Sequence, residues 1–418
     1  MTASRAMARE RVVCVGIGTR GWSRHAAMAS LGELTRLIAT AGGTVAGTAW
    51  YDLRRADPAT LIGRGHVALL AARIATGEVD TVAVDAELTP AQNRNLGDGW
   101  GVKVVDRTAV ILDIFARRAR TLEGKLQVEL AQLRYRLPRL VGRGLALAQQ
   151  AGYIGNRGPG ETQLEIDRRR VRERIARLRG ELAAVRARRA AARGQRQRAH
   201  VPVAALVGYT NAGKSSLLTA LTGAATYRDD QLFATLDPLV RRLRLPSGRA
   251  ILLTDTVGFI RRLPHQLVEA FHATFEEMQG AACLVHVVDG ADPDAPELMA
   301  VVDGVLVALG LGAIPRIVAV NKTDRARPPI AVPAEAVRVS ARTGAGLPEL
   351  LARLDAAVGE VLLPVRLRLP HTAGAVLAEL YEHARVRRAR HTARGIAVDV
   401  ELPEYLRRRL QPYLVRIR

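Results

Sequence analysis

Residues 203–221 read VAALVGYTNAGKSSLLTAL. The apolar run Val203–Val207 leads into Gly208-Tyr209-Thr210-Asn211-Ala212-Gly213-Lys214-Ser215, a full match to G-x-x-x-x-G-K-[ST], and Ser216–Leu221 continues as a helical stretch. Strand, glycine-rich loop and helix are the context this motif requires. Loop N–H groups and the helix N-terminus cradle phosphates, the Lys214 ammonium reaches the β and γ phosphates, and the Ser215 hydroxyl ligates Mg2+. Adenine and guanine nucleotides both remain open on this motif alone.

Working outward, ILLTDTVGF at 251–259 is an apolar strand ending in Asp255-Thr256-Val257-Gly258. A carboxylate there can hold Mg2+ through water, and the Gly258 N–H can sense a γ-phosphate. A second apolar run, IPRIVAV, ends in Asn321-Lys322-Thr323-Asp324. Asp324 can accept from guanine N1–H and the exocyclic amine, Asn321 can steady the base and loop, and the Lys322 stem can cover the ring. Adenine would leave Asp324 unpaired and desolvated. Val339-Ser340-Ala341, followed by Arg342, fits a loop whose backbone N–H reads guanine O6. Four motifs in this order predict a GTP-hydrolysing domain with a predominantly parallel sheet over 201–359.

The 418 residues carry 62 Lys plus Arg against 40 Asp plus Glu, a formal charge of +22. By segment the net charge is +2 over 1–114, +15 over 115–200, −1 over 201–359 and +6 over 360–418. An Arg-rich genome would spread the excess evenly, so the near-neutral 201–359 argues that the basic segments meet a polyanion. Only Lys103, Lys125, Lys214 and Lys322 are lysines. Two of them stand in nucleotide motifs, where a compact ammonium does what a planar guanidinium cannot. Cys14 and Cys283 are too few for a disulfide framework or a cysteine-rich zinc site. The N-terminal stretch lacks the pattern of a secretory signal, and the apolar region Val301–Val320 is broken by Asp303, Pro315 and Arg316, so no membrane insertion is expected.

Strand-like VVCVGIG, TVAGTAWY, DTVAVDA and VKVVD alternate with helical stretches over 1–114, predicting a small α/β domain. Over 115–200, Leu122, Leu126, Leu130, Leu133, Leu137 and Leu140 form one helical seam, and Val171, Ile175, Leu178, Leu182 and Val185 form another. Two such seams bury each other as a long antiparallel hairpin, with Pro138 ending or kinking the first helix. The glycine-rich stretch between them makes the tip. Residues 360–418 read as a small basic α+β domain, with VRLRLP and GIAVDVELP as strands and AVLAELYEHARV as a helix.

Beyond the nucleotide motifs, Asp106–Leu133, GYIGNRGPGETQLEIDRRR (Gly152–Arg170) and LFATLDP (Leu232–Pro238) closely resemble the HflX-type ribosome-associated GTPases, translation-factor-related members of the P-loop class. The resemblance spans nearly the whole chain. It implies GTP hydrolysis with Mg2+, binding to the large ribosomal subunit and its rRNA through the N-terminal and hairpin regions, and splitting or rescue of stalled ribosomes. It also implies a cytoplasmic monomer, with peripheral membrane association as an open alternative. Thr235 matches the switch I threonine that joins Ser215 on Mg2+, with Phe233 and Ala234 beside the nucleotide. Arg157, Arg168, Arg169, Arg170, Arg172 and Arg174 become candidate RNA contacts. IGRGH and Leu239 depart from the family pattern. Phe259 stands where many regulatory GTPases place a water-orienting Gln, and Asn211 stands where cation-activated relatives coordinate K+. A rival reading, an RNA-binding scaffold with a degenerate nucleotide domain, is countered by intact Lys214, Ser215, Asp255 and Asp324. Backbone and shape contacts to folded rRNA suit an Arg-rich, aromatic-poor surface better than base stacking does.

Overall fold

A computed structural model of the chain describes residues 9–19, 21–53, 55–140, 159–198, 201–223, 232–233, 239–262, 264, 278–325, 330–358, 363–393, 395–402 and 404–415. Arg157, Ala234, Thr235 and most of the expected Gly152–Gly160 tip lie outside the described residues. The chain divides into two compact units. One comprises Met1–Arg188 with Asp230–Leu236 and Arg261–His272; the other comprises Arg189–Asp229, Asp237–Ile260 and Ala273–Arg418.

The first unit runs β1 (Arg11–Thr19), α1 (Arg24–Thr40), β2 (Thr44–Leu53), α2 (Arg64–Thr76), β3 (Thr81–Val84), α3 (Pro90–Trp100), β4 (Lys103–Asp106), α4 (Arg107–Arg118), α5 (Leu122–Arg136) and α6 (Pro159–Arg198), the last up to Arg188. Its sheet, ordered β2-β1-β3-β4, is parallel throughout. The central strands are unbroken apolar runs because both faces are covered, as in VVCVGI and TVAV. Helix starts follow local capping chemistry. Thr89 and Gln92 form a reciprocal capping box on α3, and the Asp106 carboxylate accepts from Ala109 N at the start of α4.

Helices α5 and α6 share one apolar seam of Leu126, Leu130, Ile175, Leu178 and Leu182. Leu122 was expected in it but is 66% exposed, so the seam starts one turn later. Helix α5 stops at Arg136, followed by a short 3-10 turn at Leu137–Leu140 that contains Pro138.

A charged cluster is buried in this unit. Arg107 pairs with Glu33 and, at 2.8 Å, with Asp85, all three almost fully buried. Ser30 Oγ donates to Asp85 at 2.5 Å, and the Arg107 guanidinium also donates to the Arg261 carbonyl at 3.0 Å. Arg262 donates to the Asp85 carbonyl at 2.9 Å and lies 3.6 Å from the Trp22 ring centre.

The second unit runs β5 (Val203–Gly208), α7 (Lys214–Thr222), β6 (Leu239–Arg244), β7 (Ala250–Asp255), β8 (Cys283–Asp289), α8 (Ala295–Ala308), β9 (Arg316–Asn321), β10 (Val337–Arg338) and α9 (Leu347–Ala357). The sheet order is β10-β9-β8-β5-β7-β6, with only β6 antiparallel to its neighbour. This is the expected P-loop GTPase fold. Then come β11 (Leu363–Leu369), α10 (Gly374–His383), β12 (Arg385–Thr392), β13 (Gly395–Leu402) and α11 (Glu404–Arg409). Their three-stranded sheet is antiparallel, ordered β11-β13-β12. The helix expected to run to Val386 ends at His383, and RVRRARHT becomes a strand that charge had hidden from an apolar-alternation reading.

His286 lies on β8 and is 2% exposed. Burial pushes its pKa down to about 4; Asp303 works against this, while Arg316 and Lys214 add to it. The unfolded chain therefore binds a proton between about pH 4 and 6.5 that the folded chain refuses, so stability is lost as pH falls through that window. Replacing His286→Leu should remove this contribution, about 3 kcal/mol at full extent. Denaturant unfolding of both proteins at pH 7 and pH 4.5 checks it: the wild type should lose more stability on acidification than the variant.

Candidate functional site

The loop between β5 and α7 is shaped by close approaches that only glycine permits. Gly213 has φ 94°, and a Cβ there would stand 2.2 Å from Asn321 Nδ2. Gly208 has φ 149°, and its Cβ would stand 2.3 Å from the Val287 carbonyl. Alanine at Gly213 would clash with Asn321, and alanine at Gly208 with the β8 backbone at Val287. Asn211 also takes the left-handed conformation, at φ 61°, which Asn tolerates better than most residues.

The D-x-x-G segment is fastened to this loop by backbone. Thr210 N donates to the Phe259 carbonyl at 2.7 Å, and Phe259 N donates to the Gly208 carbonyl at 3.1 Å. Phe259 is 1% exposed, so its ring is a core residue and presents no group that could orient water. Thr256 Oγ1 donates to the Leu206 carbonyl and is spent on the strand. Ser215 Oγ donates to Asp255 Oδ2 at 2.6 Å. These two hard oxygen groups are therefore already together and would suit a hard cation such as Mg2+. Among the described residues no group of three or more His, Cys, Asp or Glu could hold a metal by protein ligands alone.

Lys214 is buried, and its Nζ donates to the Gly208 and Tyr209 carbonyls at 3.1 and 2.9 Å. Burial pushes its pKa down to about 8, opposed by the Asp255 carboxylate. A polyphosphate beside it would supply the counter-charge that the carbonyls do not.

The base-reading residues converge on the same loop. Asn321 is buried; its Nδ2 donates to the Ala212 carbonyl at 3.0 Å and its Oδ1 accepts from Ala341 N at 3.0 Å. One amide thus braces the phosphate loop and the Ser340 loop together. Asp324 accepts from Ser340 Oγ at 2.6 Å and pairs with Arg342 at 2.7 Å. The Ser340 bond first, and then Arg342, hold its carboxyl below the usual range, keeping it the acceptor that guanine requires. Thr323 Oγ1 donates to the Val339 carbonyl. Lys322 Nζ donates to the Asn211 carbonyl and to Asp289 Oδ2, both at 2.7 Å. Its ammonium is thus a tie across the site as well as the end of a stem. The sequence reading missed Asp289; its signal was a lone carboxylate closing the apolar run of β8.

Gly208, Tyr209, Thr210, Asn211, Ala212, Gly213, Lys214, Ser215, Ser216, Asp255, Thr256, Val257, Gly258, Asn321, Lys322, Thr323, Asp324, Ser340, Ala341 and Arg342 all belong to the second unit. Phe233 belongs to the first, where its ring meets Phe115 edge-on at 4.6 Å. Of the candidate RNA contacts, Arg169, Arg170 and Arg172 are exposed and Arg168 is half-buried. Arg174 is turned to another purpose, binding Glu129 of α5 through two bonds of 2.8 and 3.0 Å.

Nucleotide binding should take up a proton near pH 8, because phosphate favours the charged form of Lys214. Between pH 7 and 8.5 the affinity for GDP should fall about fourfold. Calorimetry in buffers of differing ionisation heat would show the uptake, and Lys214→Met should abolish the linkage along with most of the affinity.

Three family models match in series: "GTP-binding GTPase N-terminal" over 28–116, "GTP-binding GTPase Middle Region" over 118–196 and "50S ribosome-binding GTPase" over 203–322. The GTPase HflX of Caldanaerobacter subterraneus subsp. tengcongensis is 45% identical over 386 residues, covering 92% of this chain and 90% of that protein. The GTPase HflX of Magnetococcus marinus is 46% identical, covering 93% and 91%. That of Escherichia coli K12 is 42% identical, covering 85% of each. This chain belongs to the HflX family and is a GTPase.

Proposed function

We propose that GTP hydrolysis in this chain is a switch on ribosome association: it binds the large ribosomal subunit and its rRNA and promotes splitting or rescue of stalled ribosomes. The observation that carries this reading is the division of charge, +15 over 115–200 against −1 over 201–359. The exposed Arg169, Arg170 and Arg172 on α6 supply phosphate contacts, and their i,i+3 and i,i+4 partners Asp167 and Glu173 are 3.9 and 3.8 Å away, too weak to hold them. The family model matching 203–322 is described as ribosome-binding, which supports the same partner. In this reading residues 1–114, 115–200, 201–359 and 360–418 are four domains. Each contains an apolar cluster of its own among the described residues. No helix among the described residues is long and apolar enough to cross a membrane; a cytoplasmic monomer is the form proposed.

In the hydrolysis step water attacks the γ-phosphate in line. Lys214 and the 208–213 backbone N–H groups stabilise charge on the phosphates. Ser215 and Thr235 would hold Mg2+, with Asp255 close enough to support it, and the ion would supply charge stabilisation on the phosphates; the Gly258 N–H would read the γ-phosphate. Asp324 and Asn321 select guanine, and Asn211 offers its exposed amide to K+.

Co-sedimentation with large ribosomal subunits should be stronger with a non-hydrolysable GTP analogue than with GDP. Replacing Arg169, Arg170 and Arg172 together by Ser should weaken it and flatten its salt dependence by about two to three in log–log slope, with nucleotide affinity unchanged. An unaltered salt series would return these residues to a solvated helix face.

Hydrolysis by the free chain should be slow and faster in potassium than in sodium chloride, since buried Phe259 leaves the attacking water without a side-chain partner. Equal rates in both salts, or a potassium effect that survives Asn211→Ala, would exclude the cation role.

A further inference from the structure

The three-stranded sheet near the C-terminus has one face in a core and one in solvent. Leu367 and Leu369 of β11 and Ile396, Val398, Val400 and Leu402 of β13 face inward, onto Leu380 of α10 and Leu406 and Leu410. The strand register fixes what the other face carries. Arg366, Asp399 and Arg388 form one cross-strand row, Arg368, Ala397 and Arg390 the next, and Pro364, Glu401 and Arg385 a third. The register shifts between Val386 and Arg388, inserting Arg387 as an extra residue whose guanidinium also reaches Glu401. Six guanidinium groups and two carboxylates thus share one small face.

The carboxylates engage three of the six. Arg366 bonds Asp399 at 2.6 Å, and Arg385 and Arg387 both pair with Glu401. Arg368, Arg388 and Arg390 are exposed and, among the described residues, make no direct ion pair, although the Asp399 charge is felt by Arg388 and Arg390. Their row geometry has a shape as well as a sign. Ala397, a short side chain, lies between Arg368 and Arg390, so this row is low in the middle with a guanidinium on each bank. Strand spacing puts the banks about 10 Å apart, and Arg388 and Arg390 follow each other at about 7 Å along β12.

That trough matches a chain of evenly spaced monoanions, each able to take two N–H bonds from one guanidinium. The rows carry no aromatic or large apolar side chain. They therefore lack an anchor for a protein hot spot, a wedge for a lipid surface and a platform for stacking unpaired bases. Charges on edge strands also deter pairing between copies, but that purpose does not require three guanidinium groups free of direct ion pairs around a lowered floor. We propose that the outer face of the β11-β13-β12 sheet binds the phosphate backbone of double-helical RNA. Arg368, Arg388 and Arg390 make the contacts, and Asp399 and Glu401 fix the directions of Arg366, Arg385 and Arg387. The choice of RNA over DNA rests on the ribosome reading above; the charge and shape argument does not.

The test uses the full-length chain, a labelled RNA duplex and a salt series, with no ribosomes present, so it stands whether or not subunits co-sediment. Changing Arg368, Arg388 and Arg390 together to Ser should lower the log–log salt slope by about two to three. It should do so also in a chain whose α6 arginines are already replaced, and GTP hydrolysis should stay unchanged. Ala397→Glu, which keeps every Arg and puts a carboxylate on the trough floor, should weaken duplex binding as well, guarding against a folding artefact in the triple variant. Unchanged slopes in both variants overturn the proposal. So does self-association of the triple variant with duplex binding intact, which would make the arginines edge protection. Loss of binding to phosphatidylserine vesicles or polyglutamate, with duplex binding intact, would reassign the face to lipid or acidic protein. A DNA duplex bound as tightly as RNA and equally weakened would keep the face and overturn the choice of nucleic acid.

Discussion

One buried ammonium constrains the nucleotide site. Lys214 sits at the first turn of α7 in surroundings that push its pKa down to about 8, and it is held by two carbonyls of the loop that precedes it. Burying a charge is unfavourable unless a counter-charge is supplied, and the loop is shaped to let phosphate supply it. Gly208 and Gly213 allow the backbone to turn hard against Val287 and Asn321. Gly258 passes close to Lys214, with a would-be Cβ only 3.1 Å from Nζ. The site is thus preorganised for anions through steric rules obeyed by three strand ends at once.

The same strand ends link phosphate recognition to base recognition. Asn321 bonds both the Ala212 carbonyl and the Ala341 N–H, and Lys322 bonds the Asn211 carbonyl and Asp289. A shift of the guanine-reading loop therefore pulls directly on the phosphate loop. The Asn321–Asp324 segment and the 208–215 loop are one hydrogen-bonded structure, because parallel strands deliver all their C-terminal ends to one edge of the sheet.

A second buried charge cluster does comparable work in the first unit. Arg107, Glu33 and Asp85 are nearly inaccessible, and the guanidinium spends a further bond on the Arg261 carbonyl. Arg261 follows D-x-x-G-F-I directly in the chain, yet it belongs with the N-terminal residues. Phe233, just before the matched switch I threonine, does the same through Phe115.

Much was legible without coordinates. The phosphate loop, the D-x-x-G strand end and Asn321–Asp324 are local in sequence, since each packs its chemistry into a few residues at the end of an apolar run. The parallel sheets were legible for the same reason, and Pro138 marked a helix end that sterics enforce. What only tertiary structure decided depends on partners far away in the chain. Asp289 joined the site because β8 lies beside β9 and delivers it to Lys322. Arg174, one of the candidate RNA contacts, meets Glu129 because the residue 45 positions earlier lies across the helix pair. Leu122 fell outside the seam although its spacing fitted. Strand β12 was hidden because RVRRARHT carries its inward residues, Val386 and Ala389, around a bulge that breaks the period of two. Periodicity reports burial only where the register is regular, and which charged residues meet across a fold is set by packing rather than by sequence spacing.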